Sequence, residues 1–113
     1  MSDKFTNITK DIGTQLAKMR KEMPEVMAGF SALSQAAYKD GALNKKTKEL
    51  IAMALAVAKQ CPGCIGFHSQ TLVKLETSRE ELLETLAMAV YMGGGPSLMY
   101  AAEALEAFEE FNK

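Results

Sequence analysis

Nine consecutive apolar residues, Leu50-Ile51-Ala52-Met53-Ala54-Leu55-Ala56-Val57-Ala58, follow the charged stretch that holds Lys45, Lys46, Lys48 and Glu49. Alanine, leucine and methionine favour helix, and a helix that is apolar all round has no face to give to water. A chain of 113 residues is large enough for one hydrophobic core and not for two. Such a helix therefore belongs either at the centre of the fold or at an interface between subunits. The run is far too short to cross a bilayer. We expect one domain over residues 1–113.

The rest of the chain also reads as helix, and no stretch alternates apolar and polar residues as a strand does. The fold class expected is all-α, with about six helices. The first runs from Thr9 to Lys21, with Ile12, Leu16 and Met19 on one stripe. Pro24 fits the first turn of the second, whose stripe of Val26, Met27, Phe30, Leu33 and Ala37 continues until Asp40-Gly41 ends it, and the two form a hairpin. Asn44 is the natural N-cap of the third helix. Pro62 fits the first position of a fourth, with Cys61 at its N-cap, running through His68 and Leu72 to Leu75. Ser78-Arg79-Glu80-Glu81 has capping-box spacing and opens a fifth, with Leu82, Leu83, Leu86, Ala89 and Val90 inward. Gly93-Gly94-Gly95-Pro96 stops it. Pro96 begins a sixth, with Leu98, Met99, Ala102, Leu105, Ala107 and Phe108 inward and Glu103, Glu106, Glu109 and Glu110 on the outer face. With 48% hydrophobic residues in so short a chain, some apolar surface is expected between subunits.

Thirteen basic residues stand against 14 acidic ones, for a net charge of -1. No surplus of positive charge is available to neutralise phosphates or to dock on anionic lipid, which argues against nucleic-acid and membrane partners. Met1 to Asn7 holds no apolar core of signal-peptide length, and a cytoplasmic location is expected. The two cysteines lie three apart and cannot staple distant parts of a secreted fold. A local dithiol in a reducing compartment points instead to catalysis or metal binding.

The chemistry concentrates in Cys61-Pro62-Gly63-Cys64-Ile65-Gly66-Phe67-His68. Thiols at i and i+3 on the first turn of a helix lie close enough to form a disulfide, and the helix N-terminus favours a thiolate there. His68, the sole histidine, is one turn beyond Cys64 on the same face, where it can accept the thiol proton directly or through one water. The helix dipole favours Cys61 as the more acidic thiol and the histidine favours Cys64, so the order of attack stays open. Glu49 sits where the third helix goes under cover. It is either a solvated first-turn residue paired with Lys45 or a carboxylate with a task. The plainer alternatives are core filler for the cysteines and an incidental place for the histidine.

Glu49, eleven residues, Cys61, two residues, Cys64, three residues and His68 together resemble the active-site signature of the alkylhydroperoxidase AhpD-like branch of the carboxymuconolactone decarboxylase family. Gly41-Ala42-Leu43, Lys48-Glu49-Leu50-Ile51-Ala52, Thr77-Ser78-Arg79-Glu80-Glu81-Leu82 and the Gly93-to-Pro96 turn extend the likeness over residues 25–107. The resemblance implies an all-helical fold that assembles through buried helices into a homotrimer or homohexamer. It also implies a relay in which Glu49 acts through His68 on the Cys64 sulfur, with Cys61 as the disulfide partner. The activity it implies is that of a dithiol oxidoreductase acting on a peroxide or disulfide substrate, with no cofactor and no metal. A lipoyl or thioredoxin-like dithiol would return the electrons, although no residue of the chain identifies it. Two positions depart from the pattern. AhpD enzymes carry a histidine between the cysteines where this chain has Gly63, which removes a second acid or base. The family often has Gly before the Thr-x-x-Glu segment, where Leu75-Glu76 stands here.

Two other functions compete. Decarboxylation of a carboxymuconolactone names the wider family, but its decarboxylases generally lack paired cysteines. Arg20 and Arg79, the only arginines, form no cluster to hold a multiply charged carboxylate. A zinc module would draw on Cys61, Cys64, His68 and Glu49 as ligands, although Glu is an unusual structural zinc ligand. A thioredoxin fold is excluded because the strands of a βαβ unit are absent.

Overall fold

A computed structural model describes residues 3–113. Six helices follow one another: α1 (Lys4–Glu22), α2 (Pro24–Ala37), α3 (Lys45–Ala58), α4 (Pro62–Lys74), α5 (Arg79–Gly93) and α6 (Gly95–Phe111), with no strand among the described residues. None of these helices is long and apolar enough to cross a membrane.

Most of the helix starts have a local cause. Asn44 Oδ1 accepts the Thr47 amide at 2.8 Å and opens α3. At α5 the Ser78 hydroxyl accepts the Glu81 amide at 3.0 Å while the Glu81 carboxylate accepts the Ser78 amide at 2.8 Å, the reciprocal capping box expected there. At α4 a sulfur takes the capping place, with Cys61 Sγ accepting the Cys64 amide at 3.2 Å ahead of the first-turn Pro62.

The start of α1 corrects the expectation from sequence. The helix begins at Lys4 rather than Thr9, and its N-cap, Asp3, makes no side-chain cap bond. A carboxylate from α6 substitutes: Glu110 accepts the Phe5 amide at 3.1 Å and the Thr6 amide at 2.6 Å. Glu110, expected on the outer face of α6, is consequently only 7% exposed, and Phe5 is fully buried in the core.

Helix α3 is central, packing on α4, α5 and α6. Its Met53, Ala56 and Val57 meet Ile65 and Leu72 of α4, Leu82, Leu86 and Ala89 of α5, and Ala101, Ala104, Ala107 and Phe108 of α6. The apolar run is nevertheless not covered all round, since Ile51 and Leu55 are 45% and 55% exposed. On α6 the inward line is Ser97, Ala101, Ala104, Ala107 and Phe108, whereas Leu98 and Met99, expected inside, are exposed. Leu83 of α5 is likewise exposed. Helix α2 departs furthest. It packs on α1 alone, as the expected hairpin, and buries no residue, leaving Val26, Phe30 and Leu33 exposed. Its stripe exists, but a single chain offers nothing to cover it.

Helices α3 and α4 end in the same way. Gln60 and Glu76 adopt left-handed backbone, with φ of 57° and 56°. The Cys61 amide returns to Ala56 O and the Gln60 amide to Val57 O, each at 3.1 Å, and Thr77 and Glu76 repeat the pattern onto Leu72 and Val73. These are Schellman turns. The second shows how a non-glycine residue at Glu76 still ends α4. The first delivers Cys61 directly to the N-cap of α4, so the dithiol hangs on a short, fully hydrogen-bonded turn.

Candidate active site

Cys61 and Cys64 lie at disulfide distance, with Cα atoms 5.3 Å apart. Cys64 is exposed and Cys61 half-buried. Helix α1 crosses α4 over two glycines. A Cβ on Gly63 would stand 2.6 Å from Ile12 Cδ1, and one on Gly66 would stand 2.7 Å from Thr9 Cγ2. The position between the cysteines therefore faces Ile12 of α1. A side chain there requires the tip of Ile12 to turn aside.

Across the α3–α4 contact, Glu49 Oε1 and His68 Nδ1 share a hydrogen bond. Glu49 is 2% exposed, while the His68 side chain keeps 28% of its surface open. A buried carboxylate paired with an imidazole replaces the solvated Glu49–Lys45 pair weighed from sequence. With Nδ1–H donating to the carboxylate, the lone pair of Nε2 is left to accept a proton. Cys64 lies one turn back along α4, at the i,i+4 spacing that brings Cβ atoms within about 6 Å. The structure thus gathers all four sequence-selected residues, Glu49, Cys61, Cys64 and His68, around the start of α4.

Reading the sequence missed Tyr38. It follows α2, is half-buried, and lines the same cavity as Glu49. Burial first, and then the neighbouring carboxylate, push its phenol well above the ordinary tyrosine value, so the hydroxyl is a donor. Tyr38, Lys39, Lys45, Glu49, Phe67 and His68 line a cavity of about 530 Å³ on this side of the pair. Tyr38 carries no local motif, and only the path of the α2–α3 loop brings it to Glu49. Among the described residues no three His, Cys, Asp or Glu side chains converge as a metal site would need. The carboxylate is committed to His68 and the two sulfurs to each other.

Comparison with known proteins agrees with this architecture. The carboxymuconolactone decarboxylase family model matches residues 24–107. An uncharacterized protein of Cupriavidus necator is 40% identical over 111 residues, 98% of this chain and 97% of the relative. The crystal structure of the apo form of a carboxymuconolactone decarboxylase family protein from Legionella pneumophila superposes with a TM-score of 0.98 at 87% identity, covering 99% of this chain and 100% of that one. One from Thermotoga maritima superposes with a TM-score of 0.79 at 27% identity, covering 90% and 87%. Sequence over most of its length and the arrangement of its six helices agree, and the chain belongs to the carboxymuconolactone decarboxylase family.

Proposed function

We propose that the protein is a dithiol oxidoreductase of the AhpD-like branch, reducing peroxides or disulfides through Cys61 and Cys64. The observation that carries this reading is the buried Glu49–His68 pair one helical turn from a dithiol at disulfide distance. His68 Nε2 takes the Cys64 proton while Glu49 balances the charge on the imidazole. The exposed Cys64 thiolate attacks the terminal oxygen of a hydroperoxide, breaking the O–O bond and releasing an alcohol, and becomes a sulfenic acid. Cys61 then attacks that sulfur, expelling water and closing the disulfide. With a disulfide substrate the same two thiols release two substrate thiols. In either case a dithiol of the lipoyl or thioredoxin-like class re-reduces the pair, a cycle suited to the cytoplasm. A role in the antioxidative response has been suggested for the Thermotoga maritima relative, and peroxide as oxidant is in line with it.

The test is to mix fully reduced protein with one equivalent of hydrogen peroxide, and separately with a small aromatic disulfide, and to count the remaining thiols. The parent chain is expected to lose both thiols to the Cys61–Cys64 disulfide, which neither Cys61→Ser nor Cys64→Ser can form. A parent protein that keeps both thiols refutes the reading. Turnover of carboxymuconolactone by the doubly substituted chain would assign the decarboxylase reaction instead.

The same reading includes self-assembly into a trimer or hexamer. Phe30, Leu33 and Leu55, more than half exposed on α2 and α3, and Met88, Tyr91 and Met92 on α5 support it, because monomers seldom leave so much apolar surface open. A monomeric mass by light scattering would reject it.

A further inference from the structure

The Glu49–His68 pair forms part of the wall of a cavity of about 530 Å³, the size of a small-molecule site. Phe67, His68 and Thr71 supply its α4 side. With Cys64 they fall at i, i+3, i+4 and i+7 and share one face of that helix, so the exposed Cys64 continues the face past the cavity's edge. Lys39, after α2, and Lys45, the first residue of α3, also line the cavity. Two other lysines at the start of α3 are engaged elsewhere: Lys46 pairs with Glu81 at 2.7 Å, and Lys48 donates to Ala37 O at 2.9 Å. The ammonium groups of Lys39 and Lys45 have no carboxylate partner among the described residues, and both side chains are exposed. The neighbouring Asp40 carboxylate accepts the Lys45 backbone amide, at 2.9 Å, rather than the ammonium. A cation in the first turn of a helix meets the positive end of the dipole, so Lys45 does not serve the stability of α3. Glu49, the acid in the lining, is 2% exposed and turned to His68, which leaves the charge facing the cavity positive.

We propose that Lys39 and Lys45 make this cavity selective for a small substrate that carries a carboxylate, holding its charged end while its disulfide or peroxide bond reaches Cys64 along the face of α4. This selectivity rests on the dithiol reaction proposed above and names its substrate class. Two exposed ammonium groups attract an anion from a distance and hold it loosely, which favours its capture over a neutral molecule of the same shape. The rings of Tyr38 and Phe67, in the same lining, offer apolar surface to the rest of the molecule.

The experiment compares iodoacetate and iodoacetamide, alike in size, on Cys64 of the reduced full-length protein, with the adduct read by mass spectrometry. In each the thiolate displaces iodide from a CH2 group, and only the first agent is an anion. Lys39→Gln with Lys45→Gln is expected to slow iodoacetate about fivefold, as suits two exposed charge pairs, and to leave iodoacetamide within about twofold of the parent. Lys39→Arg with Lys45→Arg keeps the parent ratio. Lys10→Gln with Lys18→Gln, on α1 outside the cavity, removes as much charge and leaves the ratio unchanged. An aromatic disulfide bearing two carboxylates, set against an uncharged dipyridyl disulfide, is expected to depend on Lys39 and Lys45 in the same way. An unchanged iodoacetate rate, or disulfide reactions indifferent to the two lysines, overturns the proposal. Equal slowing of both alkylating agents overturns it too, since the lysines would then act on the thiolate itself, as does an equal effect of the α1 pair, which would make it one of net charge. Alkylation needs no redox step. If the parent keeps its thiols with peroxide and with both disulfides, yet favours iodoacetate through Lys39 and Lys45, the dithiol reading fails and the anion site stands.

Discussion

Glu110, in the last turn of α6, caps Thr6 in the first turn of α1: its carboxylate accepts the Thr6 amide and the Thr6 hydroxyl, each at 2.6 Å. Burial by itself pushes the Glu110 carboxyl up, but the hydrogen bonds from Thr6 and Phe5, with Lys113 nearby, outweigh it and hold the carboxyl below its ordinary value. Replacing it by Gln removes the charge from a helix N-terminus and weakens two or three hydrogen bonds, at a cost of about 1–3 kcal/mol. Because folding lowers this carboxyl's proton affinity, its stabilisation is fully present above the unfolded value of about 4.3 and is lost as pH falls through the lower folded value. Urea unfolding from neutral to acid pH is expected to show the parent losing more stability than Glu110→Gln. Parallel pH curves for the two would contradict the capping role.

A left-handed backbone costs a residue with a Cβ about 1 kcal/mol or more, and glycine almost nothing. Glu76, at φ 56°, is exposed and follows the end of α4, the end opposite the dithiol. Glu76→Gly is therefore expected to raise stability by about 0.5–1 kcal/mol after allowing for the freer unfolded chain, or roughly 4 °C in Tm. Calorimetry decides it, and a lower Tm would mean that the Glu76 side chain makes contributions larger than the strain.

What could be read in the sequence was what the chain specifies locally. Asn44, Ser78 with Glu81, and Cys61 before Pro62 mark helix starts because a cap and its target are three residues apart. Leu82, Leu86 and Ala89 lie inward at the expected spacing because α5 has core on that side. Spacing and a resemblance single out Glu49, Cys61, Cys64 and His68 as candidates, and the fold pairs Glu49 with His68 and Cys61 with Cys64. The misses are all tertiary. Phe5 went unnoticed because the cap of α1 comes from Glu110, at the other end of the chain. The stripe of α2 is well formed in sequence but has no cover within one chain. Tyr38 reaches Glu49 only through the path of a loop, and no residue pattern encodes that path.

Helix interiors ordinarily gain about 1 kcal/mol when glycine becomes alanine. Gly66 reverses this expectation. A Cβ there stands 2.7 Å from Thr9 Cγ2, and Thr9 cannot simply rotate away because its hydroxyl donates to Phe5 O at 2.9 Å. Gly66→Ala is expected to lose about 1–3 kcal/mol through overpacking between α1 and α4. Denaturant unfolding checks the sign: a stabilised variant would show that α1 yields without cost.

The two cysteines are chemically alike but not placed alike, and their separate replacement distinguishes attack from resolution. Cys64 is exposed and precedes His68 by one turn, whereas Cys61 is half-buried and its sulfur is engaged by the Cys64 amide at the N-cap. If Cys64 attacks, Cys61→Ser retains the attacking thiol and loses the one that resolves, so peroxide leaves a sulfenic acid on Cys64 that dimedone traps. Cys64→Ser retains only the half-buried thiol and is expected to react with peroxide at least about tenfold more slowly. Mass spectrometry of the dimedone adduct after a short exposure reads both. An adduct forming rapidly in Cys64→Ser and not in Cys61→Ser would exchange the roles, giving the attack to the thiol at the helix N-cap and resolution to the one beside the histidine. Glu49 and His68 would then act on the resolving rather than the attacking sulfur.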